Sequence, residues 1–180
     1  MFKIIKNKKG FTIIETLVAI TVLMIAIAGP LTIAQKGLLA SVYARDQMIA
    51  SFLAQDAMEY ARNVRYYNII NDTDWLRGLS DCIQTNPCSV DTLNSKPSDA
   101  SPLGVNRCVN DDCPLYLVNN DGGYTPEPGN ANVTQFKRSF YIEDNPLIPS
   151  KAVFFVIVTW GNGEVDNRVV FQNEVYNVRI

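Results

Sequence analysis

The stretch "KNKKGFTIIETLVAITVLMIAIAGPL" (residues 6–31) sets three lysines ahead of a glycine, then a long apolar run with a carboxylate near its start. From Phe11 to Gln35 there are 25 residues, and Glu15 is the only charged one. About 20 helical residues cross the ~30 Å hydrocarbon core of a bilayer, so this segment spans or nearly spans one. A carboxylate in hydrocarbon costs about 2.5–3.5 kcal/mol on insertion scales, and such a residue is usually kept for a function. Gly29-Pro30 should bend the helix, because proline removes one backbone donor and crowds the preceding turn.

Working outward, the 180-residue chain is long enough for one domain and an appendage, and 47% apolar residues exclude bulk disorder. The net charge of −2 hides an asymmetry. Residues 1–10 hold Lys3, Lys6, Lys8 and Lys9 and no acid, so the chain after Gly10 carries −6. That balance lacks the clustered Lys/Arg of a nucleic-acid footprint, and no nucleic-acid partner is expected. There is no histidine, which removes Ser-His and Cys-His nucleophile pairs, HExxH zinc sites and His-ligated metals. No carboxylate pair stands out either, so an enzyme is not expected.

Five segments follow from the pattern: a basic leader (1–10), a membrane-competent helix (11–35), an amphipathic helix (36–67), a loop-rich region holding the cysteines (68–113), and strands (114–180). In the amphipathic part, Leu38, Val42, Ile49, Leu53, Tyr60 and Val64 recur at spacings of four and seven, with Arg45, Asp46, Glu59 and Arg62 on other faces. A continuous helix from Phe11 to about Arg65 would be on the order of 80 Å long. Strand signals are "PLYLV" (114–118), "FKRSFYIE" (136–143) with Phe136, Phe140 and Ile142 on one side, "AVFFVIVTW" (152–160) and "RVVFQNEVYNVRI" (168–180). The third is apolar on both sides, as a strand buried on two faces should be. The expected fold class is α+β: a long N-terminal α-helix, apolar then amphipathic, packed on a C-terminal antiparallel β-sheet head.

Two plain readings of the opening stretch stand beside a sharper one. It has the basic n-region and apolar h-region of a secretory signal, and Ala26-Ile27-Ala28 is an A-x-A site. A simple anchor with an incidental glutamate is the other. Against the signal peptide stand the charge inside the h-region and a helical pattern that continues past Ala28.

The sharper reading is a resemblance. "KKGFTIIETLVAITVLMIAIAGPL" resembles the class III leader of type IV pilins and type II secretion pseudopilins. In that family a basic leader ends in glycine, phenylalanine opens the mature chain, and glutamate is its fifth residue. Here those positions are Gly10, Phe11 and Glu15. The resemblance implies cleavage between Gly10 and Phe11 by a prepilin peptidase, N-methylation of Phe11, and a role for Glu15 in filament assembly. It further implies other pilin or pseudopilin subunits and an inner-membrane assembly platform as partners, with membrane lipid around the helix beforehand. "ASFLAQDAMEYARNVR" (50–65) and the closing "VTW…VYNVR" are similar to minor pilins of the pilus-modification type. Major pilins more often carry a C-terminal disulfide loop, and no cysteine lies in the last 67 residues.

The four cysteines, Cys82, Cys88, Cys108 and Cys113, lie in a region that the leader would send to an oxidising compartment, where two disulfides are the default. Three pairings are open. Local pairing (Cys82 with Cys88, Cys108 with Cys113) is the working expectation, crossed pairing the alternative. A four-thiolate zinc site would normally show shorter spacing, and "NDDC" (110–113) and "NNDGG" (119–123) lack the EF-hand spacing for calcium. They read as turns, as does "GNG" (161–163), while Trp160 and Tyr176 read as sheet packing. No metal or cofactor is expected.

Two functions from different classes remain. One is a minor pilin or pseudopilin built into a filament through its N-terminal helix. The other is an exported binding or adhesion module held by a plain anchor. N-terminal sequencing separates them: N-methylphenylalanine at Phe11 marks the first, an intact Met1 or a start at Gly29 the second. The lysines place the leader in the cytoplasm by the positive-inside rule, with residues 36–180 outside the inner membrane. A filament subunit would then pass to a pilus or pseudopilus at the cell surface or in the periplasm.

Overall fold

A computed structural model of the chain describes residues 10–93, 97–98, 101–102, 104–110, 112–118, 122–129, 131–144, 147–161 and 167–178. The four leader lysines, Asp111 in the 110–113 stretch, residues 119–121 of the "NNDGG" turn and residues 162–163 of "GNG" lie outside the described residues. One helix, α1 (Ile13–Ile70), comes first. The strands that follow are β1 (Cys88–Val90), β2 (Pro97–Ser98), β3 (Ser101–Pro102), β4 (Val105–Arg107), β5 (Pro114–Val118), β6 (Tyr124–Thr125), β7 (Ala131–Asp144), β8 (Lys151–Trp160) and β9 (Asn167–Tyr176). The chain divides into two compact units, Met1–Arg45 and Asp46–Ile180.

In the first unit the described residues are helix from Ile13 onward, and every one of them is exposed. The helix runs through Pro30 as a single element. Proline supplies no N–H there, and two residues on, the Thr32 hydroxyl donates to the Ala28 carbonyl at 2.9 Å.

In the second unit, residues 46–70 of α1 lay one face on the sheet. Ala50, Leu53, Ala54, Ala57, Tyr60, Ala61 and Val64 are buried at spacings of three and four. The stripe expected from residue 38 onward is therefore real only from Asp46: Leu38 is 68% exposed and Val42 is exposed too. Four of the buried positions are alanines. The helix overruns its expected end by three residues and closes on a left-handed Asp72 (φ 52). There the Thr73 N–H donates to the Asn68 carbonyl at 3.0 Å and the Asp72 N–H to Ile69 at 3.3 Å, which satisfies two terminal carbonyls.

Every sheet pairing is antiparallel. β7 carries β5 and β1 along one edge and β8 along the other; β6 extends β5, β4 extends β1, and β9 extends β8. β2 and β3 form a separate two-stranded ribbon. β8 alternates strictly: Ala152, Phe154, Val156, Val158 and Trp160 are buried, while the residues between them are half-covered. It is thus a strand with one core face, and its apolar outer face is explained by neighbours such as Tyr141, stacked on Phe155 at 4.9 Å. Phe140 meets Phe154 edge-on at 5.5 Å in the core. β1 and β4 lie inside the segment expected to be loop, and Trp75, Leu79, Cys82, Cys88 and Val90 from it join the core.

Among the fully buried side chains is Arg138, 1% exposed, on the same face of β7 as Phe136, Phe140 and Ile142. Its guanidinium donates to the Leu53 carbonyl of α1 at 3.0 Å, to the Val90 carbonyl of β1 at 2.6 Å and to Asp56 at 3.3 Å, while Nε has no partner among the described residues. Burial pulls its pKa below the ordinary arginine value, and the carboxylates of Asp56 and Asp91 oppose that shift. Asp56 also accepts a bond from the Thr92 hydroxyl. Replacing Arg138 with alanine removes three bonds and opens a cavity, so Arg138→Ala should cost about 3 kcal/mol. Asp56→Asn, at a half-exposed position that keeps an acceptor oxygen, should cost about 1 kcal/mol or less. Urea unfolding of the detergent-solubilised chain, followed by fluorescence of the buried Trp75 and Trp160, checks the ranking. Equal losses would show that the two backbone bonds of Arg138 contribute little.

Candidate leader-processing and assembly segment

Apolar residues at Ile13, Ile14, Leu17 and Val18 set up the helix, and Thr12 starts it. The Glu15 N–H donates to the Thr12 carbonyl at 3.1 Å and lies 3.3 Å from the Thr12 hydroxyl oxygen, and the Thr16 N–H donates to the Thr12 carbonyl at 3.2 Å. Thr12 is therefore the N-cap and Glu15 the third helical residue, the spacing of a capping box. A carboxylate in the first turn also faces the positive end of the helix macrodipole. The sequence reading singled out Glu15 but missed this local role, although the T-x-x-E spacing at residues 12–15 signals it.

Gly10 lies just outside the helix and is exposed, and a Cβ added there would meet nothing within 4 Å. Packing within the chain therefore does not demand glycine at this position. Phe11 is 75% exposed beside it. The Gly10–Phe11 bond thus precedes the first helical turn in an open setting that suits entry into a peptidase site. Beyond it, α1 is long and apolar enough to cross a membrane, and its most apolar window buries nothing inside the chain.

The cysteines belong to the other unit and form two local disulfides, Cys82–Cys88 and Cys108–Cys113, with Cα separations of 5.4 and 5.1 Å. They are tied into the sheet rather than left in a loop. The Ile142 N–H donates to the Cys82 carbonyl at 2.7 Å, the Arg138 N–H to Cys113 at 2.9 Å, and the Cys108 N–H to Pro87 at 2.9 Å. Trp160 is buried, tilted against Phe136 at 6.5 Å. Tyr176 lies on the outer face of β9, where its hydroxyl donates to Glu174 at 3.0 Å.

Residues 5–29 match the model of the prokaryotic N-terminal methylation motif. No curated protein and no solved structure gives a significant match. The matched span brackets Gly10, Phe11 and Glu15, and a leader of this type implies processing by prepilin peptidase and assembly with other pilins. The leader and the apolar helix are also consistent with membrane anchoring. A methylation motif at the head of one long apolar helix, followed by an antiparallel sheet with two disulfides, fits a type IV pilin-like protein.

Proposed function

We propose that this chain is a minor pilin or pseudopilin, a structural subunit without catalytic activity. It is held in the inner membrane with its head outside, cut after Gly10, methylated at Phe11 and drawn into a filament through α1. The observation that carries this reading is the methylation motif over residues 5–29, seated on a helix whose apolar half is unburied. The similarity of residues 50–65 to minor pilins and the absence of cysteine from the last 67 residues support the minor role. In this reading Glu15 acts twice. It faces the positive end of its own helix, and it offers a carboxylate to the cationic secondary amine of a neighbour's Phe11. Opposite charges attract strongly in a medium that screens poorly, although desolvation offsets much of the gain. The larger effect is on register, since an unpaired charge in an apolar filament core is expensive.

Two measurements test the reading. Because no described residue crowds Gly10, Gly10→Val should leave the fold intact yet block cleavage, so the membrane-bound protein keeps the mass of the uncut chain. A mutant trimmed like the wild type would sink the leader assignment. Glu15→Val should be cut and inserted normally, while its share of sheared filaments falls about tenfold or more, which corresponds to at least ~1.4 kcal/mol of lost coupling. Equal incorporation would remove Glu15 from assembly and favour the plain anchor.

A further inference from the structure

The sheet ends in short strands on one side and in a long one on the other. β4 has three residues and β6 two, and β5 and β1 cover one edge of β7. β9, in contrast, pairs only with β8 among the described residues, over ten residues in unbroken register from Lys151↔Tyr176 to Trp160↔Asn167. Such a strand turns about half of its N–H and C=O groups to the free side, and proteins usually blunt that edge with lysine, proline, a bulge or brevity. β9 (NRVVFQNEVY) has no lysine or proline, and its pairing shows no bulge. At its C-terminal end the outward Tyr176 carbonyl accepts from the Arg65 guanidinium and the Val178 N–H, so the open stretch is residues 167–174.

The side chains point the same way. Val169 and Phe171 pack against the core yet are only half-buried, with no strand beyond them among the described residues. On the outer face Arg168 and Val170 are exposed. Arg168 has no ion-pair partner among the described residues, whereas Glu174 is held by Lys151 at 2.9 Å and by the Tyr176 hydroxyl.

We propose that β9 is a docking edge to which a neighbouring filament subunit adds an extended segment as a further strand. This rests on the assembly reading above. Only an extended backbone satisfies a row of alternating donors and acceptors, which excludes a helix or a lipid surface as occupant. The added strand carries apolar side chains on the face that continues Val169 and Phe171, and a carboxylate opposite Arg168.

Hydrogen exchange read by mass spectrometry over residues 167–176 tests it. In the detergent-solubilised chain the outward amides should exchange fast and those bonded to β8 slowly. In filaments the fast set should slow by about a hundredfold or more. The double variant Val170→Lys, Gln172→Lys places two lysines on the exposed face and should keep the fold, its disulfides and the slow set. It should lose the added protection and at least tenfold in incorporation. If the chain is present in filaments but its fast amides stay fast, strand addition is wrong and the assembly reading survives. If sheared filaments lack the chain, the assembly reading fails, and strand addition fails with it. Protection in the solubilised chain that disappears on dilution would mean self-pairing and would overturn the assigned partner.

Discussion

The unit Asp46–Ile180 is organised around one buried cation. Arg138 reaches from the middle of β7 to a carbonyl of α1, a carbonyl of β1 and the carboxylate of Asp56, so a single side chain fixes helix, central strand and flanking strand to one another. Hydrophobic burial alone would let the alanine-rich face of α1 slide along the strands, because small smooth side chains give little register. A guanidinium has five donors in a fixed plane and cannot shed its charge, so any displacement leaves it unsatisfied in an apolar interior. Asp56, half-exposed and also bonded to Thr92, keeps the charge balanced without being sealed in itself. The bond from the Gln135 amide to the buried Asp46 at 2.9 Å makes a second polar tie between α1 and β7, at the first residue of that unit.

Glu15 poses a different balance. Its backbone N–H completes a cap with Thr12, and its charge sits where the helix dipole welcomes an anion, so the first turn is stable before any partner arrives. The same residue is the single charge in the apolar run, where a bilayer would penalise it. A local role thus lowers the cost of carrying a carboxylate in an apolar helix.

Much of this architecture is legible in the sequence. The 25-residue apolar run and the lysine-glycine-phenylalanine-glutamate order need only composition and spacing. Pro114–Val118 matches its expected limits, and β7, β8 and β9 each fall on an expected strand, because β-branched and aromatic residues there leave no competing period. What escaped has physical reasons. Arg138 shares the parity of Phe136 and Phe140, yet a charged residue reads by default as solvent-facing, and only the geometry of Asp56, Leu53 and Val90 reveals otherwise. The alanines at 50, 54, 57 and 61 carry little hydrophobic signal, so the larger residues dominate the pattern and extend it to Leu38, which is exposed. β1 and β4 are three residues long and exist through pairing with distant strands, which no local window detects. The cap at Thr12 is masked in the sequence because Glu15 stands out by its charge in an apolar run rather than by its spacing from a hydroxyl.

The placement of the cross-links bears on the order of events during biogenesis. Both disulfides join cysteines five or six positions apart, and all four precede β7. Ribosomal synthesis delivers residues 82–113 ahead of the three long strands, and bonds between near neighbours close without them. Oxidation is thereby uncoupled from completion of the sheet: a chain halted before residue 131 already contains every thiol it will pair. Wrong pairing has little opportunity, since each thiol meets its mate over a handful of residues before distant ones come into range.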